Sequence, residues 1–249
     1  MLAALLEVAP GGVEQVDREG FVEYALYGAP GELPSFPEGE AEVGGVIVGV
    51  RGEPVADDWA ERWKQFHQPV LVAERVWVRP PWAEPRQDAV DLVIDPGQAF
   101  GTGAHPTTKL SLKLMLELES HGSFADLGCG SGVLAIAAAR LGFGPVTAVD
   151  NELAALEATR ANAAANGVRL DNVERMNLRE QAPPAAQTLA ANLMRPLLLE
   201  MARRVEERPA ALILSGLLDE EADEVAAAFA PLRESRRRSE RGWSALLLL

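Results

Sequence analysis

The sequence predicts an α/β protein with a doubly wound, mostly parallel sheet. The first indication is a glycine turn, Asp126-Leu127-Gly128-Cys129-Gly130-Ser131-Gly132, between a short strand pattern and an Ala-rich helix pattern. The second is Asp150, which closes an apolar run eighteen residues after the last of these glycines. The third is a regular alternation of strand and helix patterns from Phe124 onward. Apolar strands of this kind, with both faces covered by helices, are typical of doubly wound sheets.

The part of the chain from residue 81 to 249 is predicted to contain seven strands, the last two forming an antiparallel pair. The predicted strands are residues 90–94, 123–127, 146–149, 189–193, 211–215, 233–239 and 243–248. Helices are expected between them, and Gly167 marks the end of one. The predicted helices are residues 107–120, 133–141, 153–166, 197–207 and 220–229.

The residues before this region predict a small N-terminal module. Residues 21–27 and 43–50 have strand patterns, and a loop rich in Gly, Pro and Glu separates them at 28–40. A short helix is expected from Asp57 or Asp58 to Phe66, followed by a strand at 70–78. The sequence therefore predicts an N-terminal domain at 1–55, a linker helix and strand at 56–80, and a larger domain at 81–249.

Composition restricts the class of protein. The chain has 249 residues, 48% of them hydrophobic, and a formal net charge of −14. No apolar stretch reaches the length of a membrane span and no signal peptide is evident, so a cytoplasmic protein with no membrane partner is expected. The single cysteine, Cys129, is interpreted as a small apolar filler in the glycine turn. No spacing of His, Cys and Asp suggests a metal site.

The glycine turn predicts a cofactor site beyond the carboxyl ends of the strands. Glycines allow a ligand to approach the main chain, and Asp150 could accept the two hydroxyls of a ribose. A nicotinamide dinucleotide is one candidate, but Gly130, Gly132 and Ala135 match its pattern only weakly. The acid at Asp126 favours a second candidate, because D-x-G-x-G-x-G resembles motif one of the class I S-adenosylmethionine-dependent methyltransferases. S-adenosyl-L-methionine is therefore the expected cofactor.

Three further segments make the resemblance more specific. The run from Ile94 to Thr108 contains P-G-Q-A-F-G-T-G-A-H-P-T-T, the segment 190–193 reads Ala-Ala-Asn-Leu, and 212–217 reads Leu-Ile-Leu-Ser-Gly-Leu. Together with the glycine turn they resemble the ribosomal protein L-11 methyltransferases of the PrmA type. The resemblance covers about residues 55–249 well and residues 1–54 loosely. It implies a seven-stranded class I methyltransferase sheet preceded by a small α+β substrate-recognition domain.

The resemblance also implies roles for individual residues. Asn192 would line the reaction centre and orient the amine, and Phe100 would cover the cofactor or the incoming amine. His105 would accept a proton or hold the loop, and the second role is favoured. Asn177 stands where the family often has an acid against the adenine. The remaining residues expected to bind the cofactor are Thr107, Thr108, Asp126, Gly128, Gly130, Gly132, Asp150 and Asn192.

The family methylates α-amino and lysine amino groups of a basic ribosomal protein, so the same substrate is expected here. Residues 1–66 contain thirteen Asp or Glu and four Lys or Arg. Such an acidic module suits a basic protein and disfavours direct binding of nucleic acid. The start of the chain lies near the equivalent of the family's first helix, so this domain is expected to be shortened. A monomer is expected.

Two other functions stay open at this point. A related methyltransferase could act on another protein lysine or on a small amine. A non-catalytic module could retain the cofactor fold, although intact Asp126, Gly128, Asp150 and Asn192 argue against it. Adenine-N6 methylation of nucleic acid is disfavoured, because Asn192-Leu193-Met194-Arg195 lacks the Asn-Pro-Pro-aromatic pattern.

Overall fold

Two units make up the chain, Met1–Arg62 and Trp63–Leu249. The computed structural model describes residues 13–18, 21–26, 39–43, 46–50, 67–96, 103–119 and 121–249. The predicted domain limits at residues 55 and 80 stay a prediction. The predicted helix that carries Trp59, Trp63 and Phe66 lies outside the described residues, and so does Phe100.

The described part of the first unit consists of two antiparallel strand pairs. β1 (Val13–Arg18) pairs with β2 (Phe21–Leu26), and β3 (Gly39–Val43) pairs with β4 (Val46–Val50). β2 confirms the strand predicted at 21–27. The sequence interpretation did not predict β1. It placed a loop up to Glu40 and the start of a strand at Val43, which is wrong because Gly39–Val43 is the strand β3 and the next strand starts at Val46. β3 is rich in Gly, Ala and Glu, residues that are depleted in strands, so its pairing partner decides its conformation.

The second unit alternates strands and helices after an initial group of three strands. Its first strands are β5 (Val70–Val72), β6 (Val76–Arg79) and β7 (Val90–Val93). The next elements are α1 (Pro106–Met115), β8 (Phe124–Leu127), α2 (Val133–Arg140), β9 (Val146–Asp150), α3 (Leu153–Ala165) and β10 (Asn172–Arg175). The last are β11 (Thr188–Asn192), α4 (Arg195–Ala202), β12 (Ala211–Leu218), a 3-10 turn (Asp219–Glu221), α5 (Ala222–Ala228), β13 (Glu234–Glu240) and β14 (Trp243–Leu248).

Seven of the described strands form one sheet in the order β10-β9-β8-β11-β12-β14-β13. The first five strands are parallel, and β14 is antiparallel to both of its neighbours. The chain moves outward from β8 to β10 and then returns to the other side of β8 at β11. The crevice between β8 and β11 is therefore the switch point at which doubly wound sheets bind ligands.

The predicted number of seven strands is confirmed, but its membership was wrong in one place. Residues 90–93 are strand β7 of a separate three-stranded sheet. In that sheet β6 pairs antiparallel with β5 and parallel with β7. The place in the main sheet belongs to β10, which has no apolar alternation because it is a mostly exposed edge strand. The strand predicted at 70–78 is a hairpin, with Ala73 and Glu74 at positive φ in its turn.

Helices cover both faces of the main sheet, as the strand composition predicts. On one face α1, α2 and α3 pack on inward side chains such as Phe124, Val146 and Ile213. On the other face α4 and α5 pack on the alternate side chains, among them Leu127 and Leu214. Successive side chains within a strand alternate between the two helix layers, so only residues at the strand ends can face neither layer. None of the helices in the described part of the chain is long and apolar enough to cross a membrane.

Candidate active site

The glycine turn after β8 adopts a backbone that only glycine accepts without strain. Gly128, Gly130 and Gly132 have φ values of 74°, 53° and 81°. The amides of Gly128 and Cys129 both donate to the carbonyl of Val149 on β9, at 2.8 and 3.0 Å. A Cβ added to Gly128 would overlap Leu193 Cδ2, so the side chain that follows Asn192 packs directly on this turn.

Asp150 ends β9 beside the turn and is half-buried. Its Oδ2 accepts the amide of Gly130 at 3.0 Å, and its Oδ1 accepts the amide of Glu152 at 3.0 Å. Each carboxylate oxygen carries a second lone pair, so the group can still accept hydroxyl donors from a ligand. The backbone of the loop thus holds the carboxylate in one orientation at the strand end.

Polar side chains on α3 form hydrogen bonds to the backbone of the glycine turn. Buried Thr159 donates to the carbonyl of Gly130 at 3.0 Å, and Asn162 Nδ2 donates to the carbonyl of Ser131 at 2.9 Å. Asn162 Oδ1 also accepts the amide of Asp95 at 3.0 Å. Asn166 accepts from and donates to Val93, at 2.8 and 2.6 Å. Sequence reasoning missed these residues, although polar side chains at 159, 162 and 166 share one face of an Ala-rich helix.

Asp126 is buried in β8 at 2% exposure. Its Oδ2 accepts the amide of Ala135, in the first turn of α2, at 3.0 Å. Burial raises the pKa of this carboxyl from 3.8 to about 7, the hydrogen bond from Ala135 opposes the shift, and the charge of Asp150 adds to it. Asp126 can therefore change charge near neutral pH, near the end of the strand that leads into the glycine turn.

Cys129, in the same turn, is also buried. Burial raises the pKa of its thiol, and the charge of Asp126 adds to this effect. The thiol is therefore protonated at neutral pH, which agrees with its interpretation as a filler and not a nucleophile.

The N-terminus of α1 meets the ends of β11 and β12 at the same edge. Asn192 Nδ2 donates to Thr108 Oγ1 at 3.4 Å. The carbonyl of Thr107 accepts hydrogen bonds from Ser111 and Ser215, both at 3.0 Å. Thr107 and Thr108 are fully buried, so these bonds satisfy polar groups that water cannot reach. Ser215, at the end of β12, was not among the predicted site residues.

His105 is the N-cap residue of α1. Its Nδ1 accepts the amide of Thr107 at 3.4 Å and lies 2.8 Å from Thr107 Oγ1. The ring packs edge-on against Trp243 with centroids 5.0 Å apart. Burial lowers the pKa of His105, and the charge of Lys109 lowers it further. A neutral ring that accepts at Nδ1 stabilises the first turn of the helix.

The structure brings most of the predicted site residues to one edge, but Asn177 is engaged locally. Asn177 Oδ1 accepts the amide of Arg179 at 3.1 Å. The residue before it, Met176, donates its amide to the carbonyl of Asp150 at 2.9 Å, which places Asn177 beside the end of β9. Gly216 is a further residue that the sequence interpretation did not single out. It has φ 83°, and a Cβ there would overlap the backbone of Leu193.

A seven-stranded sheet of this order, with its reversed strand β14 and a glycine turn after β8, has the class I methyltransferase fold. Solved structures agree. Ribosomal protein L11 methylase from Lactobacillus delbrueckii subsp. bulgaricus superposes with a TM-score of 0.68 at 24% identity, covering 74% of this chain and 98% of the other. A tRNA (uracil-54, C5)-methyltransferase of Pyrococcus abyssi, solved with S-adenosyl-L-homocysteine, gives 0.54 at 22% identity over 68% of this chain and 45% of the other.

The family model for ribosomal protein L11 methyltransferase (PrmA) matches residues 48–248. The chain therefore belongs to this family. The ribosomal protein L11 methyltransferase of Shewanella halifaxensis is 44% identical over 183 residues, 70% of this chain. That of Cupriavidus pinatubonensis is 43% identical over 196 residues, 76% of this chain. The matches span 62% and 65% of the length of those two relatives.

Two glycine substitutions separate backbone strain from overlap at the turn. Gly128→Ala combines a positive φ with overlap of Leu193, whereas Gly167→Ala adds a Cβ at φ 63° with nothing within 4 Å. We expect Gly167→Ala to lower the free energy of unfolding by about 1 kcal/mol and Gly128→Ala to lower it by about 2–4 kcal/mol. Urea denaturation measures both. Equal losses would contradict tight packing of Leu193 on the turn.

Asp126 gives the stability a defined pH dependence. Its pKa is raised in the folded state, so the stability contributed by the protonated carboxyl is present below about pH 4 and is lost as the pH rises towards 7. Relative to Asp126→Asn, we expect the wild-type protein to lose at least about 1 kcal/mol of unfolding free energy between pH 4 and pH 7. Urea denaturation across this range tests it, and parallel stability curves for the two proteins would exclude the raised pKa.

Proposed function

We propose that this chain is an S-adenosylmethionine-dependent N-methyltransferase that modifies the α-amino group and lysine amino groups of ribosomal protein L11. Membership of the family and the names of its relatives support the substrate. The observation that carries the reaction type is the position of Asn192. Its amide lies at the end of β11, beside the glycine turn, and is bonded to Thr108 at 3.4 Å.

The residues of the site fit S-adenosyl-L-methionine. The positive-φ glycines leave the turn backbone open to a close ligand, and Asp150 is oriented with lone pairs available for the two ribose hydroxyls. When bound, the cofactor supplies an electrophilic methyl group on a positively charged sulfur. We propose that Asp150 holds the ribose and that Asn177 faces the adenine. The amino-acid part of the cofactor would be held by Thr107, Thr108, Asp126, Gly128, Gly130 and Gly132.

The chain's contribution to transfer is to position a neutral amine and to exclude water. An α-amino group with a pKa of about 8 loses its proton readily, whereas a lysine at about 10.4 needs a site that favours the neutral form. The bond to Thr108 uses the amide nitrogen of Asn192. The amide oxygen is then the acceptor that can take an amine N–H and direct the nitrogen lone pair at the methyl group.

His105 and Phe100 are proposed to support this step in different ways. His105 caps α1 as a neutral ring and holds Thr107, so we assign it an organising role in the loop. Phe100 is assigned the cover of the cofactor or the incoming amine, on the basis of its place in the P-G-Q-A-F-G-T-G run. We further propose that the acidic N-terminal unit docks the basic substrate and that the protein acts in the cytoplasm as a monomer.

Transfer of a radiolabelled methyl group from S-adenosylmethionine tests the function. The acceptor is ribosomal protein from a strain that lacks this methylation. We expect label on ribosomal protein L11 with the wild-type chain and a loss of turnover of about 100-fold or more with Asn192→Ala, because the amine is no longer oriented. Asn172→Ala, on the exposed edge strand β10, is the matched control and should transfer at the wild-type rate.

The distribution of label separates the alternatives. Label on other proteins or on small amines, with none on ribosomal protein L11, would favour a related amine methyltransferase. Binding of S-adenosylhomocysteine without transfer to any acceptor would indicate a non-catalytic module. Equal turnover by Asn192→Ala and Asn172→Ala would overturn the assignment of Asn192.

A further inference from the structure

A surface cavity of about 530 Å³, open to solvent on one side, lies beside α1 and away from the strand-end site. The turn of the β5–β6 hairpin, the middle and end of α1, and β13 form its walls. Lys113, which lines it, is six residues beyond Thr107, or about 9 Å along the helix axis. The lining side chains that the argument uses are Arg75, Leu110, Lys113, Leu116, Glu117 and Arg238. None of them takes part in the proposed methyl transfer.

The cavity and its rim carry an excess of positive charge on an acidic protein. Glu117 pairs with Arg238 at 2.8 Å and lies 3.7 Å from Arg236. Glu240 pairs with Lys113 at 3.2 Å and lies 3.7 Å from Lys109. Each of these two carboxylates is thus shared by two cations.

Arg75 adds a fifth cation to this group, and its Nη1 donates to the carbonyl of Leu116 at 3.3 Å. Among these described residues the cluster holds five cations and two carboxylates, and three of the cations and the carboxylate of Glu117 line the cavity itself. The whole chain has a net charge of −14, so this cluster opposes the general trend of the surface. The pKa of Arg86 is raised mainly by the hydrogen bonds that its guanidinium donates to Asp88, and Glu74, on the same turn as Arg75, makes the last of several smaller contributions.

The chemistry of the walls defines what the cavity can hold. Its volume lies in the range of small-molecule sites, about 300–1,000 Å³. Leu110 and Leu116 supply apolar surface, while the arginine forks and the lysine ammonium supply the donors that phosphate oxygens prefer. The lining residues carry three cations and one carboxylate, and this excess of two positive charges suits a dianion. A long polyanion would extend beyond the Debye length, about 8–10 Å, and the net charge of −14 on the whole chain disfavours its binding.

We propose that this cavity binds a small ligand that carries a phosphate group, with the phosphate among Arg75, Lys113 and Arg238 and an apolar body against Leu110 and Leu116. The site is separate from the proposed methyl-transfer site and does not depend on it. Because the cavity adjoins α1, a ligand there would contact the helix whose first turn carries Thr107 and Thr108.

Calorimetric titration of the full chain with 1-naphthyl phosphate tests the proposal. The probe combines a phosphate dianion with an apolar ring system, and 1-naphthol is its neutral counterpart. We expect a Kd below about 1 mM for the phosphate and at least tenfold weaker binding of the naphthol. Lys113→Gln and Arg238→Gln should each weaken the phosphate about tenfold, because each removes a charge-assisted contact.

Two control variants keep the test decisive. Arg203→Gln removes a surface arginine that is 72% exposed and pairs with Glu200 on α4, and it should bind like the wild-type protein. Lys113→Arg keeps the charge and should retain binding. Wild-type binding weaker than about 1 mM, or equal binding by Lys113→Gln, Arg238→Gln and Arg203→Gln, would overturn the proposal. Displacement of the probe by a short RNA would overturn the assignment to a small ligand.

Discussion

Hydrogen bonds from the buried face of α3 hold the glycine turn and the strand β7 in one arrangement, and the rest of the site depends on them. Thr159 and Asn162 bind the carbonyls of Gly130 and Ser131. Asn162 and Asn166 reach in the other direction to Asp95 and Val93. The side chains of Thr159, Asn162 and Asn166 are buried, so loss of one partner would leave a buried polar group unsatisfied. Among the described residues, no buried side-chain nitrogen or oxygen lacks a partner.

The fixed turn determines the geometry of its neighbours. The amide of Gly130 orients Asp150, and the packing of Leu193 on Gly128 sets the path of the chain just after Asn192. The second anchor is the carbonyl of Thr107, which Ser111 and Ser215 tie to α1 and β12. Elements far apart in sequence thus meet at the switch point between β8 and β11. The site is preorganised in the sense that hydrogen bonds already orient Asp150, the carbonyl of Thr107 and the side chain of Asn192.

The parts of this arrangement that local chemistry dictates could be predicted from the sequence. The spacing of Gly128, Gly130 and Gly132 predicts a turn that requires glycine, and all three have positive φ. The apolar run before Asp150 predicts that this acid lies at the end of a strand, as it does in β9. The doubly wound sheet follows from the alternation of strand and helix patterns. The helix N-terminus at Pro106–Thr108 was also predictable, since proline is favoured in the first turn.

The remaining features depend on contacts that single-sequence patterns do not contain. β10 is an exposed edge strand whose conformation comes from pairing with β9. The turn at Ala73 and Glu74 has positive φ without the Gly or Asn that usually signals it. The sequence alone does not distinguish Thr159, Asn162 and Asn166 from other helix residues, because the backbone groups that they bind lie elsewhere in the chain. Their spacing on one face of an Ala-rich helix was the available signal.

The binding constant of S-adenosylhomocysteine for Thr159→Val tests most directly whether α3 determines the geometry of the proposed cofactor site. Valine keeps the volume of threonine but removes the hydroxyl that donates to Gly130 at 3.0 Å. Calorimetry should show binding to the wild-type chain and a Kd about tenfold higher for the variant, which corresponds to about 1.4 kcal/mol. Glu157→Gln, on the exposed face of the same helix, should bind like the wild-type chain. A Kd for Thr159→Val that equals the wild-type value would contradict the dependence of the site on α3.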